Sequence, residues 1–259
     1  MLLREIIDII ESVAPRGQQE AWDNSGLQVG DSSREISSVL LTVDVSEAVV
    51  REAIEEGCDL IISHHPLLFH GLKHLTGSTP QERCVAMAVK NDIAIYSAHT
   101  SLDNALHGVS GRMAEKIGIS EYKILVPQAD NCRVGLGVIG ELPAAIPLQA
   151  WLEHVRKVFG ATYVRYTIGR TELIRRVALC GGAGAEFIQE AIAAGADTYL
   201  SADMKYHEMQ TAAGQIVAVD IDHWISEQFT RELFAELLQG KVALRFADSD
   251  ASPVKVLQS

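Results

Sequence analysis

The sequence has few of the features that mark secreted, membrane-bound or cysteine-rich proteins. Its 259 residues include four cysteines, none in a CxxC pair: Cys58, Cys84, Cys132 and Cys180. This spacing argues against a disulfide framework and against a cysteine zinc site, and it favours buried, reduced thiols. No apolar stretch is long enough to cross a bilayer, and the N-terminus lacks the apolar core of a signal peptide. We therefore expect a cytoplasmic protein that makes no membrane contact.

Basic residues are also scarce, since 22 lysines and arginines face 34 aspartates and glutamates and give a net charge of −12. Binding to a nucleic-acid backbone needs clustered basic side chains, and this chain has no such cluster, so we expect no nucleic-acid partner. Anionic small molecules remain compatible with local binding through a metal ion. The hydrophobic share of 47% is enough for a large core, in one large or two small domains.

The order of the predicted elements is typical of an α/β protein. The predicted strands are the apolar runs at 39–43, 59–63, 93–98, 177–180, 198–201 and 216–220. Helix signals separate them: Ser46 caps one helix that ends at Gly57, and Pro80 opens the next. Such β-α-β alternation predicts mostly parallel sheets covered by helices. The segment from about 126 to 170 is predicted to be rich in strands, and one long helix is predicted after residue 220.

An internal repeat predicts two similar lobes. Segments 52–63 and 190–201 share six identities at one offset, namely Glu-Ala-Ile, a glycine, an aspartate and a serine. Any two helix-turn-strand units resemble each other, but here the glycine and the register both match, which favours duplication. We therefore expect an N-terminal lobe over 1–125 and a C-terminal lobe over 126–259. Both lobes contain βαβ units, pack as one unit and contribute polar groups to one cleft.

Two adjacent histidines, His64 and His65, directly follow the predicted strand at 59–63. Ligands of open α/β sheets bind at the ends of strands, and neutral imidazole is a common ligand of zinc, iron, nickel and copper. The next predicted strand also ends at ligand-type residues, in a segment that contains His99 and Asp103. The histidine pair indicates a metal site, although taken alone it is equally compatible with a structural role.

His223 and Glu227 provide a second signal near the C-terminus. They are four residues apart, so they share one helical face at the start of the last predicted helix and can bind one ion together. Such a pair taken alone is more often a surface contact. Together with Asp103 and the histidine pair, all at strand exits or helix starts, it favours metal binding.

These five residues predict the kind of metal centre. They offer imidazole nitrogen and carboxylate oxygen without a thiolate, which suits zinc, iron, manganese or cobalt. They are too many for one catalytic tetrahedral centre and suit two divalent ions per chain, since a carboxylate can bridge ions ~3.5–4 Å apart. The remaining positions can hold a water that loses its proton near neutral pH, and that water is the expected nucleophile.

Five segments together resemble the successive signatures of the Nif-three-like dinuclear-metal proteins, often labelled GTP cyclohydrolase 1 type 2 homologues. They span nearly the entire chain in order: WDNSGLQVG at 22–30, SHHPLLF at 63–69, HTSLD at 99–103, DMKYH at 203–207 and DHWISE at 222–227. The family often has glycine where this chain has Ala202 and Asp222, but neither change removes a ligand. The chain is too short for the inserted middle domain of some members.

The resemblance implies an α/β fold of two similar lobes, a two-metal site in the cleft between them and a ring-shaped homohexamer. The ligands that it implies are His64, His65, Asp103, His223 and Glu227, with Glu227 as the bridge. The leading hypothesis is a metal-dependent hydrolase acting on a nucleotide or a similar phosphorylated small molecule. The alternative is a non-catalytic metal-binding, metal-delivery or adaptor protein, because nothing in the sequence defines a substrate pocket.

Three further residues are candidates for catalysis. His99 either bonds a metal-bound water or ligand carboxylate, or packs as an ordinary histidine at a strand end. Lys205 and His207 are candidates for substrate binding and acid-base chemistry, because their segment corresponds to the His65 loop under the repeat. The glycine-rich run 181–184 is predicted to follow a strand and open a helix, which suits an anion site or, more commonly, a tight turn.

Overall fold

Helices and strands alternate along the chain in the computed structural model, which describes residues 1–257. The helices are α1 Leu3–Glu11, α2 Glu47–Glu55, α3 Pro80–Lys90, α4 Thr100–Asp103, α5 Val109–Lys116, α6 Leu148–Phe159, α7 Ile188–Ala193, α8 Tyr206–Ala212, α9 His223–Glu227 and α10 Thr230–Leu238. The strands are β1 Gly26–Val29, β2 Ser38–Thr42, β3 Leu60–Ser63, β4 Ala94–Ser97, β5 Tyr122–Gln128, β6 Asn131–Pro147, β7 Arg165–Tyr166, β8 Leu173–Ala183, β9 Thr198–Ala202, β10 Val217–Ile221 and β11 Ala243–Phe246. None of the helices within 1–257 is long and apolar enough to cross a membrane.

The chain forms two compact units. The first contains residues 1–102 and 230–251, and the second contains residues 103–229 and the segment from 252 onward. The second unit thus begins at Asp103, within the segment predicted as the N-terminal lobe, and 230–251 belongs to the first unit. There β11 adds to the sheet by pairing with β2 in parallel.

The sheet of the first unit has the strand order β1-β4-β3-β2-β11, and all pairings except that of β1 are parallel. Leu40, Ile61 and Ile95 lie side by side across its three central strands. They pack with Val49 and Ala53 of α2 in one buried cluster. The near-continuous apolar runs of these strands reflect burial on both faces, as in other parallel sheets.

The sheet of the second unit has the order β5-β6-β8-β9-β10-β7, with parallel pairing of β8, β9 and β10 at its centre. Large side chains of these strands, including Leu179 and Leu200, pack with Trp151 of α6 on one face. Ala178 and Ala218 belong to a separate cluster with α7 and α8 on the other face. Five of the nine pairings between the named strands are parallel, which confirms the predicted mixed α/β class.

The segment 126–170 contains parts of three strands, as predicted, but it also contains helix α6, which the prediction left out. Its buried residues are Trp151, Leu152, Val155 and Phe159, and they recur at helical spacing. Pro147 precedes the helix, and Gly160 follows it in the left-handed region at a φ of 66°. The helical period and both end signals are therefore present in the sequence.

The prediction of a single long final helix is wrong, because Gln228 and Phe229 separate α9 from α10. The Gln228 side-chain amide donates hydrogen bonds to the carbonyl oxygens of Ile225 and Phe159 at 3.0 and 2.9 Å. The Ile225 bond satisfies a carbonyl group at the end of α9, a position where a helix leaves such groups without intrahelical partners. The break places α9 in the second unit and α10 in the first.

Three of the cysteines are buried as expected, whereas Cys132 is exposed. Burial raises the pKa of the Cys84 thiol to about 11. Burial also raises the pKa of the Cys58 and Cys180 thiols. A raised pKa keeps these buried thiols protonated and unreactive at neutral pH.

The two halves of the sequence repeat use an aspartate in the same way. In each, one carboxylate oxygen accepts two successive backbone N–H groups at 2.8–3.1 Å: Asp59 from Ser37 and Ser38, and Asp197 from Arg175 and Arg176. The glycine two residues before each aspartate has a left-handed φ, 66° at Gly57 and 74° at Gly195. The repeat is therefore present in local structure as well as in sequence.

We predict that Asp59→Ala and Asp197→Ala each lower the free energy of unfolding by about 1–3 kcal/mol, because two backbone donors lose a charged acceptor. Asp59→Asn should retain most of the stability, since its amide oxygen still accepts. Hydrogen bonds from Ser37 and Ser38 lower the pKa of Asp59 despite the opposing effect of burial, so the contribution of its charge is lost as the pH falls below about 4. Urea unfolding measures these changes, with the exposed Asp130→Ala as control; equal losses in all three alanine variants would contradict the assignment.

Candidate metal centre

Three histidines meet where β3 and β4 end. These neighbouring strands are parallel, so His64 and His65 after β3 emerge at the same edge of the sheet as His99 after β4. Ser63 and Ser97, the last residues of the strands, are hydrogen-bonded through their hydroxyl groups at 2.7 Å. The ring centroids of the histidines are 5.0–5.4 Å apart, and one nitrogen of each lies within 4.8 Å of the others.

An oxygen acceptor holds the Nδ1 atom of each of these histidines. The pairs are His64 with the Ala98 carbonyl at 2.9 Å, His65 with Asp44 Oδ1 at 2.8 Å, and His99 with Asp23 Oδ1 at 2.8 Å. A carbonyl or carboxylate oxygen can only accept here, so each Nδ1 donates its hydrogen. The lone pair of a neutral imidazole is then on Nε2, the atom that binds a metal in the common carboxylate–histidine–metal arrangement.

Asp23 supplies the most strongly fixed of these acceptors. Its buried carboxylate also accepts hydrogen bonds from the Thr100 backbone N–H at 3.0 Å and the Thr100 hydroxyl at 2.6 Å. Burial by itself would raise the pKa of Asp23, but the hydrogen bonds that its carboxylate accepts from His99 and Thr100 hold the pKa well below its ordinary value. The carboxylate is therefore ionised at neutral pH and keeps His99 in one orientation.

His223 and Glu227 lie on one face of α9, as predicted. Asp222 caps this helix by accepting a hydrogen bond from the Ile225 N–H at 3.2 Å, which fixes His223 as its first residue. His223 Nε2 lies 3.1 Å from Glu227 Oε2, and its Nδ1 lies 2.7 Å from Asp203 Oδ2. His223 thus repeats the arrangement of the other three histidines, with Glu227 beside its Nε2.

Gly182 provides the space for the Glu227 carboxylate. It has a left-handed φ of 64°, and a Cβ there would overlap Glu227 Oε1 and lie 3.4 Å from His223 Cε1. Strand β8 runs through Gly181 and Gly182 to Ala183, and a short 3₁₀ helix begins at Ala185, so the run 181–184 leads from a strand into a helix as predicted. A close approach of a buried side chain, and not an anion site, explains the glycine here.

Asp103, the last residue of α4, is half-buried and belongs to the second unit. Burial is the main cause of the raised pKa of the Cys180 thiol, and the negative charges of Asp103 and Glu227 add to it. Both predicted carboxylate ligands therefore act on the same buried thiol next to Gly181 and Gly182. The second unit has an acidic site around the end of β8.

Lys205 and His207 lie at the exposed start of α8. The backbone N–H of Lys205 donates to Glu208 Oε2 at 2.6 Å, and His207 Nδ1 lies 3.2 Å from Gln210 Oε1. These contacts belong to the first turns of the helix and leave both side chains at the surface. Their catalytic role stays a prediction.

Sequence reasoning missed the three carboxylates that hold histidines, although a signal for two of them was available. Asp44 follows β2 and Asp203 follows β9, and the exit of a strand is the kind of position that indicated His64, His65 and His99. Asp203 also has a left-handed φ of 55°, which a non-glycine residue adopts only at a cost. Asp23 precedes β1 in a loop, and its partner His99 is 76 residues away.

A family model described as Duf34/NIF3 (NGG1p interacting factor 3) matches residues 1–253. This chain belongs to the Duf34/NIF3 family. Two relatives named "GTP cyclohydrolase 1 type 2 homolog" are each 34% identical to it: one from Clostridium perfringens over 88% of this chain and 87% of the relative, the other from Streptococcus pneumoniae over 93% and 92%. A solved Bacillus cereus protein related to NIF3 has the same fold, with a TM-score of 0.90, 24% identity and 99% coverage of both chains. The family resemblance drawn from the five motifs is confirmed, and groups of this NIF3-family chain have the donors and spacing to hold metal ions.

We predict that Asp203→Gly separates folding from metal binding. Glycine relieves the left-handed backbone, so stability should stay within about 1 kcal/mol of wild type or rise. Loss of the carboxylate that orients His223 should weaken metal affinity roughly 10–100-fold. Asp92→Gly is the matched control, because Asp92 has a φ of 60° and contacts Arg34, not a candidate ligand. Chelator competition and thermal unfolding measure both quantities, and equal metal affinity in the two variants would refute the role of Asp203.

Proposed function

We propose that the chain binds two divalent metal ions and hydrolyses a nucleotide or a similar phosphorylated small molecule. The orientation of His64, His65, His99 and His223 carries this proposal, since each donates through Nδ1 to oxygen and presents Nε2. Histidines that serve only packing have no reason to share one tautomer and to have three carboxylate partners. Membership of the NIF3 family and the printed name of its relatives support the nucleotide as substrate class.

The proposed ligands are His64, His65, Asp103, His223 and Glu227, with Glu227 as the bridge. The donor set of nitrogen and oxygen fits zinc, iron, manganese or cobalt. The burial of Glu227, with 3% of the residue exposed, fits a carboxylate whose charge is balanced by cations. We also propose the homohexameric ring that the family resemblance implies; light scattering coupled to size-exclusion chromatography should give six times the chain mass.

Each residue has a separate part in the proposed reaction. Divalent ions supply Lewis acidity, which makes a water molecule acidic enough to act as a nucleophile near neutral pH. His99 is oriented by the ionised Asp23 carboxylate and relays a proton through Nε2. Lys205 binds the anionic group of the substrate, and His207 is the second candidate for proton transfer. Both are exposed at the start of α8 and accessible to a substrate.

Metal content is the first prediction of this function. Tag-free protein purified without added metal should contain about two first-row ions per chain by mass spectrometry. Glu227→Ala should lose at least half of this metal, whereas Glu121→Ala, at an exposed position of the same unit, should retain it. Absence of metal from wild type even after reconstitution with zinc, manganese or iron would overturn the proposed centre.

Turnover is the second prediction. On the best substrate of a nucleotide panel, His207→Ala and Lys205→Ala should lower kcat/KM by about 10²–10⁴-fold and roughly tenfold or more, respectively, with metal content unchanged. Lys241→Ala, an exposed lysine of the first unit, is the control. Metal-loaded protein that shows no turnover on the panel, but passes its ions rapidly to an acceptor protein, would favour the metal-delivery alternative.

A further inference from the structure

Two exposed aromatic side chains stand beside the histidine cluster of the first unit. Trp22 is 59% exposed and Phe69 is 39% exposed. Their ring centroids are 5.7 Å apart, and the two ring planes are tilted by 34°. The centroid of the His99 ring lies 6.0 Å from that of Trp22 and 6.1 Å from that of Phe69. An exposed tryptophan leaves a large apolar surface in water, and here the surface adjoins a candidate catalytic histidine.

The backbone that carries these rings is fixed on both sides. Next to Trp22, Asp23 is bonded to His99 and Thr100. Next to Phe69, Leu68 donates its N–H to Gln28 Oε1 at 3.1 Å, and its carbonyl accepts a hydrogen bond from the Asn24 side-chain amide. The segments that carry the two rings are therefore held in place without a ligand, which lowers the entropy cost of ordering them when a ligand binds.

From this juxtaposition we propose that Trp22 and Phe69 form a stacking platform for the planar heteroaromatic ring of the substrate, of purine size. The proposal rests on the proposed function, because it assigns the base-binding part of the same site. Stacking suits such a ring, since every base has a π-face that an aromatic side chain can contact without hydrogen-bond readout. The acidic chain supports this occupant over an anionic membrane surface, which needs basic residues around the aromatic ones.

The order of groups also matches the shape of a nucleotide. Trp22 adjoins His99, and His99 adjoins His64 and His65. A ligand with its ring on Trp22 therefore directs its sugar and phosphate toward the Nε2 atoms of the histidines. Specificity for a ring and affinity for an anion come from neighbouring but separate groups, so one can be removed without the other.

Tryptophan fluorescence titrations of the metal-loaded full chain with GMP and with ribose 5-phosphate test the platform. GMP should quench emission, and Trp22→Ala should weaken GMP affinity roughly 10–100-fold, as expected for loss of a base–aromatic stack, when affinity is measured by calorimetry. Trp22→Phe should restore most of the affinity, and ribose 5-phosphate, which lacks the base, should bind all variants alike. Tyr206→Ala removes an aromatic residue that is 72% exposed in the other unit and should have no effect.

The outcomes separate this proposal from the proposed function. Loss of guanosine binding in Trp22→Ala, measured on metal-free protein, would support the platform even if no ions were found at the histidines. Two bound ions and phosphate binding, with GMP affinity equal in Trp22→Ala and Tyr206→Ala, would overturn the platform and leave the metal centre intact. Failure of GMP and guanosine to bind wild type, including the case in which a second copy of the chain covers Trp22, would also overturn it.

Discussion

The hydrogen bond at Nδ1 of each histidine is the constraint on which the candidate centre depends. A histidine ring can rotate and can carry its proton on either nitrogen, so a histidine near a site is not yet a ligand. The Ala98 carbonyl and the carboxylates of Asp23, Asp44 and Asp203 remove this freedom. They do so before any ion arrives, and the cost of ordering the rings is met by folding, not by binding. The fold matters to the centre because its strands, helix caps and glycines place these carbonyl and carboxylate oxygens next to the imidazoles.

The sequence predicted strands and helices that depend on local patterns, but it did not predict contacts between residues that are far apart in the chain. Strands β3 and β4 were recognisable from their apolar runs, and the histidines at their exits followed from the geometry of parallel sheets. Helix α6 was missed although its period of apolar residues was visible. The role of Gly182 was not predictable, since it depends on a glutamate 45 positions later that approaches a left-handed residue. The pairing of Asp23 with His99 is likewise invisible without the fold, because no sequence period connects two loops.

The two repeated segments share a local backbone structure but are followed by different functional side chains. Asp59 and Asp197 accept hydrogen bonds from the backbone in the same way, and Ser63 is the last residue of β3 as Ser201 is the last but one of β9. After the first serine come two imidazoles, whereas after the second comes a buried alanine and then Asp203, a carboxylate that holds an imidazole from α9. The two segments thus share the residues that hold the local backbone and differ at the exits of the strands. A position that tolerates such divergence is one where the backbone is fixed by neighbours and the side chain is not part of the core.

The charge of the chain has a direct consequence for the proposed substrate. A net charge of −12 repels nucleotides from most of the surface, so an anionic ligand needs a local source of positive charge. The proposed ligand set contains two carboxylates, Asp103 and Glu227, and three imidazoles, and an imidazole that binds a metal through its Nε2 lone pair is neutral. In the proposed centre, two carboxylates would cancel two of the four positive charges of two divalent ions, and the remaining positive charge would attract phosphate. A ligand set rich in carboxylates or thiolates would cancel it completely. In the proposed centre, histidine ligands would therefore allow an acidic protein to bind an acidic substrate, and the tautomer of each histidine matters because the Nε2 lone pair must be available to the ion.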